Sequence, residues 1–503
     1  MIPQPILIDG EHLTLSDVCD AARRRRSVSW PAAVRGKVER ARAVVDACVA
    51  EDRVVYGITT GFGKLSQVRI SVDQLEALQA NLIRSHAAGT GRPLSPEETR
   101  AALLIRANVM AKGFSGVRPV VVDTLLSMLA RDILPVIPEK GSVGASGDLA
   151  PSAHLALVLM GEGEARYKGR VMPGGEALRE AGIAPVTFQA KEGLAVLNGT
   201  HFMSAIGCLL ADEIDYLLRS AAVVAAMTTD ALVGTDTAFD PRIQAVRPHP
   251  GQVRAAAEIA ALMAGSEIRL SHLDCDKVQD AYSLRCIPQV HGAVQDTLDH
   301  ARAVLAREIN AATDNPLVFA ADAAVLSGGN FHGEPVAFAL DFLAIAAAEL
   351  ASISERRLER LINPDLSGLP AFLAREPGLN SGFMIAQLTA VSLVAENKIL
   401  AHPASVDSLP TSANKEDHVS LGMTAALKLR QVTENVRTVL AIELLAAAQA
   451  LEFRRPLRSS DTLEAVLGAL RETVSFMDRD RNLSVDIAAA AQLIADRALP
   501  LPV

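Results

Sequence analysis

The chain has 503 residues, half of them apolar, a formal net charge of −9 and only 4% aromatic residues. That length exceeds what one hydrophobic core usually organises. The diffuse acidic balance excludes the concentrated basic face of a nucleic-acid protein, and an apolar content carried by Ala, Leu, Val and Ile favours packed helices over sheets.

In chain order, the basic run Arg23 to Arg26 reads as a solvated helix face, since nothing else nearby is strongly basic. Short helical patterns up to about residue 110 surround a glycine-punctuated loop, Tyr56-Gly57-Ile58-Thr59-Thr60-Gly61-Phe62-Gly63. Its glycines disfavour a helix and permit positive φ or close backbone approach. A second glycine-rich element, Lys140 through Pro151, contains Ala145-Ser146-Gly147 and leads into an apolar run, Leu155 to Leu159, that reads as a helix start. The longest charge-free run, about 194–211, is interrupted by Asn198, Gly199, Thr200 and His201, so it predicts a buried segment and no membrane partner.

Helical periodicity dominates from about residue 195. Phe342, Ala346, Leu350 and Ile353 share one face, as do Val432, Val436 and Val439. These patterns predict a mainly α protein: a loop-rich N-terminal region over 1–195, a long central helical bundle over 196–455 and a helical C-terminal region over 456–503. Five cysteines, an odd number, in a large chain that does not open on a secretory pattern lead us to expect a reducing cytoplasm.

The tripeptide Ala145-Ser146-Gly147 carries chemistry of its own. If the backbone is sharply bent, the Gly147 amide nitrogen can attack the Ala145 carbonyl, and glycine permits that bend. Loss of water, including the Ser146 hydroxyl, then leaves a five-membered ring with an exocyclic methylene, a strong electrophile. An isolated Ala-Ser-Gly is more often a plain turn before a helix, so the surroundings decide.

Those surroundings resemble the histidine and aromatic amino-acid ammonia-lyases. Gly141 through Pro151 is similar to the signature that becomes methylidene-imidazolone, and Tyr56 through Gly63 to the loop with the catalytic tyrosine. Leu197-Asn198-Gly199-Thr200, Gln279 through Cys286, Gly328-Gly329-Asn330-Phe331-His332 and Ser412 through Ser420 are similar to four further site segments, in the family's order. The resemblance implies a fumarase/aspartase-like fold. It also implies 4-methylidene-imidazol-5-one formed autocatalytically from Ala145, Ser146 and Gly147, and a homotetramer whose sites are each assembled from three subunits. Tyr56 would be the base and Tyr282 a second catalytic tyrosine, with Asn198, Gln279 and Phe331 lining the prosthetic group. A base there removes a weakly acidic β-proton while an electrophile makes the amine a better leaving group. Arg285 suits the substrate carboxylate because a guanidinium binds two oxygens at once. Gln279, Tyr282 and Arg285, spaced by three, would share one face of a helical turn.

Two positions bear on the substrate, a small amino acid. Ser85-His86 and Glu416 stand where relatives that accept histidine carry them. A carboxylate suits an imidazole N–H, whereas against a phenyl ring it would have no donor. Ser152, His201, Ile287 and Lys415 depart from the family's usual residues, the first from Leu and the others from Gln. A tyrosine or phenylalanine ammonia-lyase, or a 2,3-aminomutase, on the same scaffold is the alternative. No metal is expected: His272, Cys275, Cys286 and His291 do not follow the usual zinc-finger order.

Overall fold

The computed structural model describes residues 4–275 and 277–502. The chain is mainly helical, and its few strands form short two- and three-stranded sheets. It divides into two compact units. One comprises the residues up to Asp212, Ala301–Asp341 and Pro403–Leu427; the other comprises Glu213–His300, Phe342–His402 and the residues from Lys428 on. These units do not follow the consecutive stretches 1–195, 196–455 and 456–503. The division falls inside the helices His201–Ala231, Ile287–Glu308, Glu334–Ile362 and Gly422–Glu452, so the chain enters each unit more than once.

The first unit is built on Pro96–Ala111, in which every residue from Glu98 to Ala111 is buried. Buried residues all round such a helix mark it as central rather than amphipathic. Its start is locally encoded: Ser95 and Glu98 form a capping box and Pro96 takes the first turn. The glycine-rich element after Lys140 leads into a helix that begins at Leu149, six residues before the expected Leu155. The basic run divides: Arg24 and Arg25 are exposed, as a solvated face requires, while Arg23 and Arg26 are part-buried and paired. Arg23 bonds Asp212 and the Leu209 carbonyl, and Arg26 bonds Asp17 and the Gln4 carbonyl.

In the second unit Val432, Val436 and Val439 are buried on Gly422–Glu452, as their spacing predicts. Among the described residues, Glu334–Ile362 is the one helix long and apolar enough to cross a membrane, and 67% of that apolar window is buried inside the protein. It carries Arg357, fully buried, whose Nε and Nη2 donate to the two carboxylate oxygens of Glu443 at 2.6 and 2.8 Å. Ser354 and Thr228 hydroxyls donate to the same carboxylate. Buried charges persist when paired and further hydrogen-bonded in this way.

Candidate active site

The Tyr56 loop is pinned from below. Ile58 is buried in a cluster with Val45, Cys48, Leu75 and Val318, while Gly61 N–H to Val68 and Ile70 N–H to Thr59 close the loop. Gly57 has φ +73°, and a Cβ there would come within 2.6 Å of Leu194.

The tripeptide lies against Asn198-Gly199. Gly199 N–H donates to Ser146 O at 3.2 Å, Asp148 N–H donates to Gly199 O at 2.8 Å, and Gly147 bridges Gly199. Gly147 has φ +79°, and a Cβ on it would sit 2.1 Å from the Gly199 oxygen. Only glycine fits, which is what an amide nitrogen turned back on the preceding residues requires. These residues therefore suit the methylidene-imidazolone ring.

Tyr56, His86, Ser146, Asn198, Phe331 and Glu416 line one cavity of about 580 Å³ in the first unit. Ala145 and Gly147 flank Ser146 along the chain. Glu416 is held by hydroxyls: Oε1 accepts from Ser146 Oγ at 3.2 Å, and Oε2 accepts from Thr411 Oγ1 and Ser412 Oγ at 2.9 and 2.6 Å. Lys415 lines the same cavity, exposed, and forms no ion pair with its neighbour Glu416. Burial pushes the Tyr56 phenol above its usual range. The Gly63 N–H, 3.5 Å from Oη, opposes this, and the Glu416 charge adds to it. The phenolate is thus disfavoured by its own chain's surroundings.

Gln279 and Arg285 line a second cavity, of about 560 Å³, in the other unit, and neither lines the first. Tyr282 is 72% exposed, with the Arg285 guanidinium 4.3 Å over its ring. The shared helical face does not form: the helix spans only Tyr282–Arg285, and Gln279 precedes it in irregular chain. Asp280 holds that chain by accepting from Thr235 N–H at 2.7 Å.

Asn315 was missed by sequence reasoning. It lines the first cavity, and its carbonyl accepts from Asn198 Nδ2 at 2.8 Å. A buried ion pair, Lys191 to Asp314 at 2.9 Å, sits beside it. No motif marks Asn315 alone; the Asn-Pro step at 315–316 was the available signal.

Two of the four departures touch each other. Ser152 Oγ lies 3.1 Å from His201 Nε2, both residues are buried, and burial holds His201 well below the ordinary imidazole range. Ile287 is fully buried and apolar at the start of its helix. Among the described residues, His272, Cys275, Cys286 and His291 supply no group of three ligand atoms. His332, Glu334 and His418 do, within 4.8 Å. His332 already uses both ring nitrogens, accepting from Glu334 N–H and donating to the His418 carbonyl.

Asp148, directly after the tripeptide, caps a distant helix. Its Oδ2 accepts from Phe202 and Met203 N–H at 2.9 Å each, and Ser142 Oγ donates to Oδ1. Burial nevertheless pushes its pKa up to about 7. The native state therefore keeps a proton that the unfolded chain releases above about pH 4, so this group's contribution to stability declines as pH rises from about 4 to 7, at up to ~1.4 kcal/mol per pH unit, and then levels off. Asp148→Asn is expected to remove that slope. Urea unfolding at pH 4.5, 6 and 7.5 checks it, and identical slopes in both proteins would refute it.

The profile of the aromatic amino acid lyase family matches residues 13–472. Histidine ammonia-lyase of Anaeromyxobacter sp. (strain K) is 56% identical over 507 residues, covering 99% of this chain and 100% of that protein. Among solved structures, histidine ammonia-lyase from Trypanosoma cruzi matches with a TM-score of 0.92 at 44% identity, covering 98% of this chain and 94% of that one. Tyrosine aminomutase from Streptomyces globisporus matches with a TM-score of 0.93 at 39% identity, covering 98% and 97%.

Proposed function

The chain belongs to the aromatic amino acid lyase family, and from that premise we propose that it eliminates ammonia from L-histidine to give trans-urocanate. The carrying observation is the cavity that joins Glu416 and His86 to Tyr56 and the ring-forming tripeptide. An imidazole offers Glu416 a donor; a phenyl ring offers none and would leave a part-buried carboxylate poorly solvated. The 56% identity to a histidine ammonia-lyase supports the same reading.

The methylidene-imidazolone formed from Ala145, Ser146 and Gly147 would supply an electrophile that makes the substrate amine a better leaving group. Around it, Tyr56 Oη takes the β-proton and Glu416 fixes the imidazole. Asn198, itself held by the Asn315 carbonyl, presents its amide beside the tripeptide. Phe331 lines the wall.

Gln279, Tyr282 and Arg285 enter from a neighbouring subunit of a homotetramer, where Arg285 clamps the substrate carboxylate. This arrangement accounts for their separate cavity and for the exposure of Tyr282. It also brings a guanidinium toward Tyr56, whose own chain supplies only the exposed Lys64 and Lys415. The five free cysteines suit a reducing cytoplasm.

The test is ammonia release and ultraviolet absorbance of the conjugated acid with L-histidine, L-tyrosine and L-phenylalanine separately. Histidine should be preferred by at least ~10²-fold in kcat/KM, because a site built around a polar partner rejects analogues lacking it. Preference for tyrosine or phenylalanine, or a β-amino acid product, would overturn the assignment.

A further inference from the structure

His86 ends the helix Leu75–His86, and its Nδ1 lies 2.8 Å from the Leu82 carbonyl oxygen one turn back. A carbonyl only accepts, so Nδ1 carries the proton. Ser85 Oγ, 3.1 Å from the same nitrogen, sends its own hydrogen to Leu82 O at 2.9 Å. In a neutral imidazole the other nitrogen is then a bare acceptor. Nε2 has no partner among the described residues, and His86 lines the cavity. Burial, outweighing the Leu82 hydrogen bond and the Glu416 charge, holds His86 below the ordinary imidazole range, so it is neutral at pH 7.

Glu416 is the second acceptor. Its Oε2 takes two hydroxyls, but Oε1 takes only that of Ser146. Ring formation expels that hydroxyl as water and deprives Oε1 of its donor. The same cavity then presents two acceptors of ring N–H groups. The other ionisable groups lining it are Tyr56, Lys64 and Lys415. Both lysines are exposed, so water screens their charge.

We propose that the site binds its substrate as the imidazolium, with one ring N–H on Glu416 Oε1 and the other on His86 Nε2. This rests on the histidine reading and specifies the charge state of the ring. A neutral imidazole has one N–H and one lone pair, so one acceptor would face a lone pair. Phenol offers a single donor and phenyl offers none. A cationic ring also withdraws electrons from the adjacent β-carbon, which makes its proton easier for Tyr56 to take.

The test uses 3-(imidazol-4-yl)propionate with both ring nitrogens labelled with ¹⁵N, bound to the native enzyme at pH 8. This ligand lacks the α-amine and is not turned over. Free in solution it is neutral there, since an imidazole titrates near pH 6.5. Solid-state ¹⁵N NMR should show both bound nitrogens protonated, and Glu416→Gln should restore the neutral pattern. One protonated and one bare nitrogen in the native complex would overturn the proposal while leaving histidine as substrate. No binding, together with no turnover of L-histidine, would sink the histidine reading and this inference with it.

Discussion

Replacing Ser146 with Ala takes ammonia release from L-histidine down to background, a loss of at least ~10³-fold in kcat, or on the order of 4 kcal/mol of barrier. Without the Ser146 hydroxyl no exocyclic methylene can form, so the amine leaves without electrophilic help. The fold should not notice. The Ser146 hydroxyl bonds Glu416 only in the uncyclised chain, and ring formation has already removed it from the mature protein, so the substitution takes away no hydrogen bond that the mature fold keeps. The measurements are turnover, urea unfolding, and the mass of the peptide spanning residues 141–151. In the native protein that peptide should be lighter than its sequence by two water molecules, and in the variant it should have the full mass of its unmodified sequence. Full activity in Ser146→Ala would end the prosthetic-group reading.

Tyr56→Phe should lower kcat by about 10²–10⁴-fold, the range for removing a positioned general base, with little change in KM. The Oη contributes only a 3.5 Å contact with Gly63 N–H to its own chain, so the loop should keep its shape. Because burial and Glu416 raise the Tyr56 pKa, the unprotonated fraction grows toward alkaline pH. The native kcat, which reports the bound complex, should rise along that limb, and the residual activity of the variant should not. Mixing Tyr56→Phe with Arg285→Ala subunits, each inactive alone, should restore activity if the base and the clamp come from different chains. No recovery after verified subunit exchange would place both in one chain and contradict a shared site.

Much of the site was legible because its chemistry is carried by short contiguous motifs. The glycines around Tyr56 and the tripeptide mark positions where the backbone turns through positive φ, a constraint that acts within a few residues. The long helices were legible for the same reason: apolar spacing at Val432, Val436 and Val439 reports burial directly. Regular spacing misled at Gln279, Tyr282 and Arg285, where Asp280 ties the chain to Thr235 and a helix begins only at Tyr282.

The residue types that can make an electrophile, a base and an imidazole partner, and the helical character of the scaffold, were determined by the sequence alone. The tertiary structure decided the partners. Asp148 caps a helix more than fifty residues away rather than the one it precedes. Ser152 and His201, two separate oddities in the sequence, become one hydrogen bond. Glu416 turns to Ser146 and two nearby hydroxyls instead of the adjacent Lys415. The physical reason is common to all three. Backbone conformation and periodicity are local properties of a chain, whereas the partner of a buried polar group is whichever group packing brings within about 3 Å, at any sequence separation.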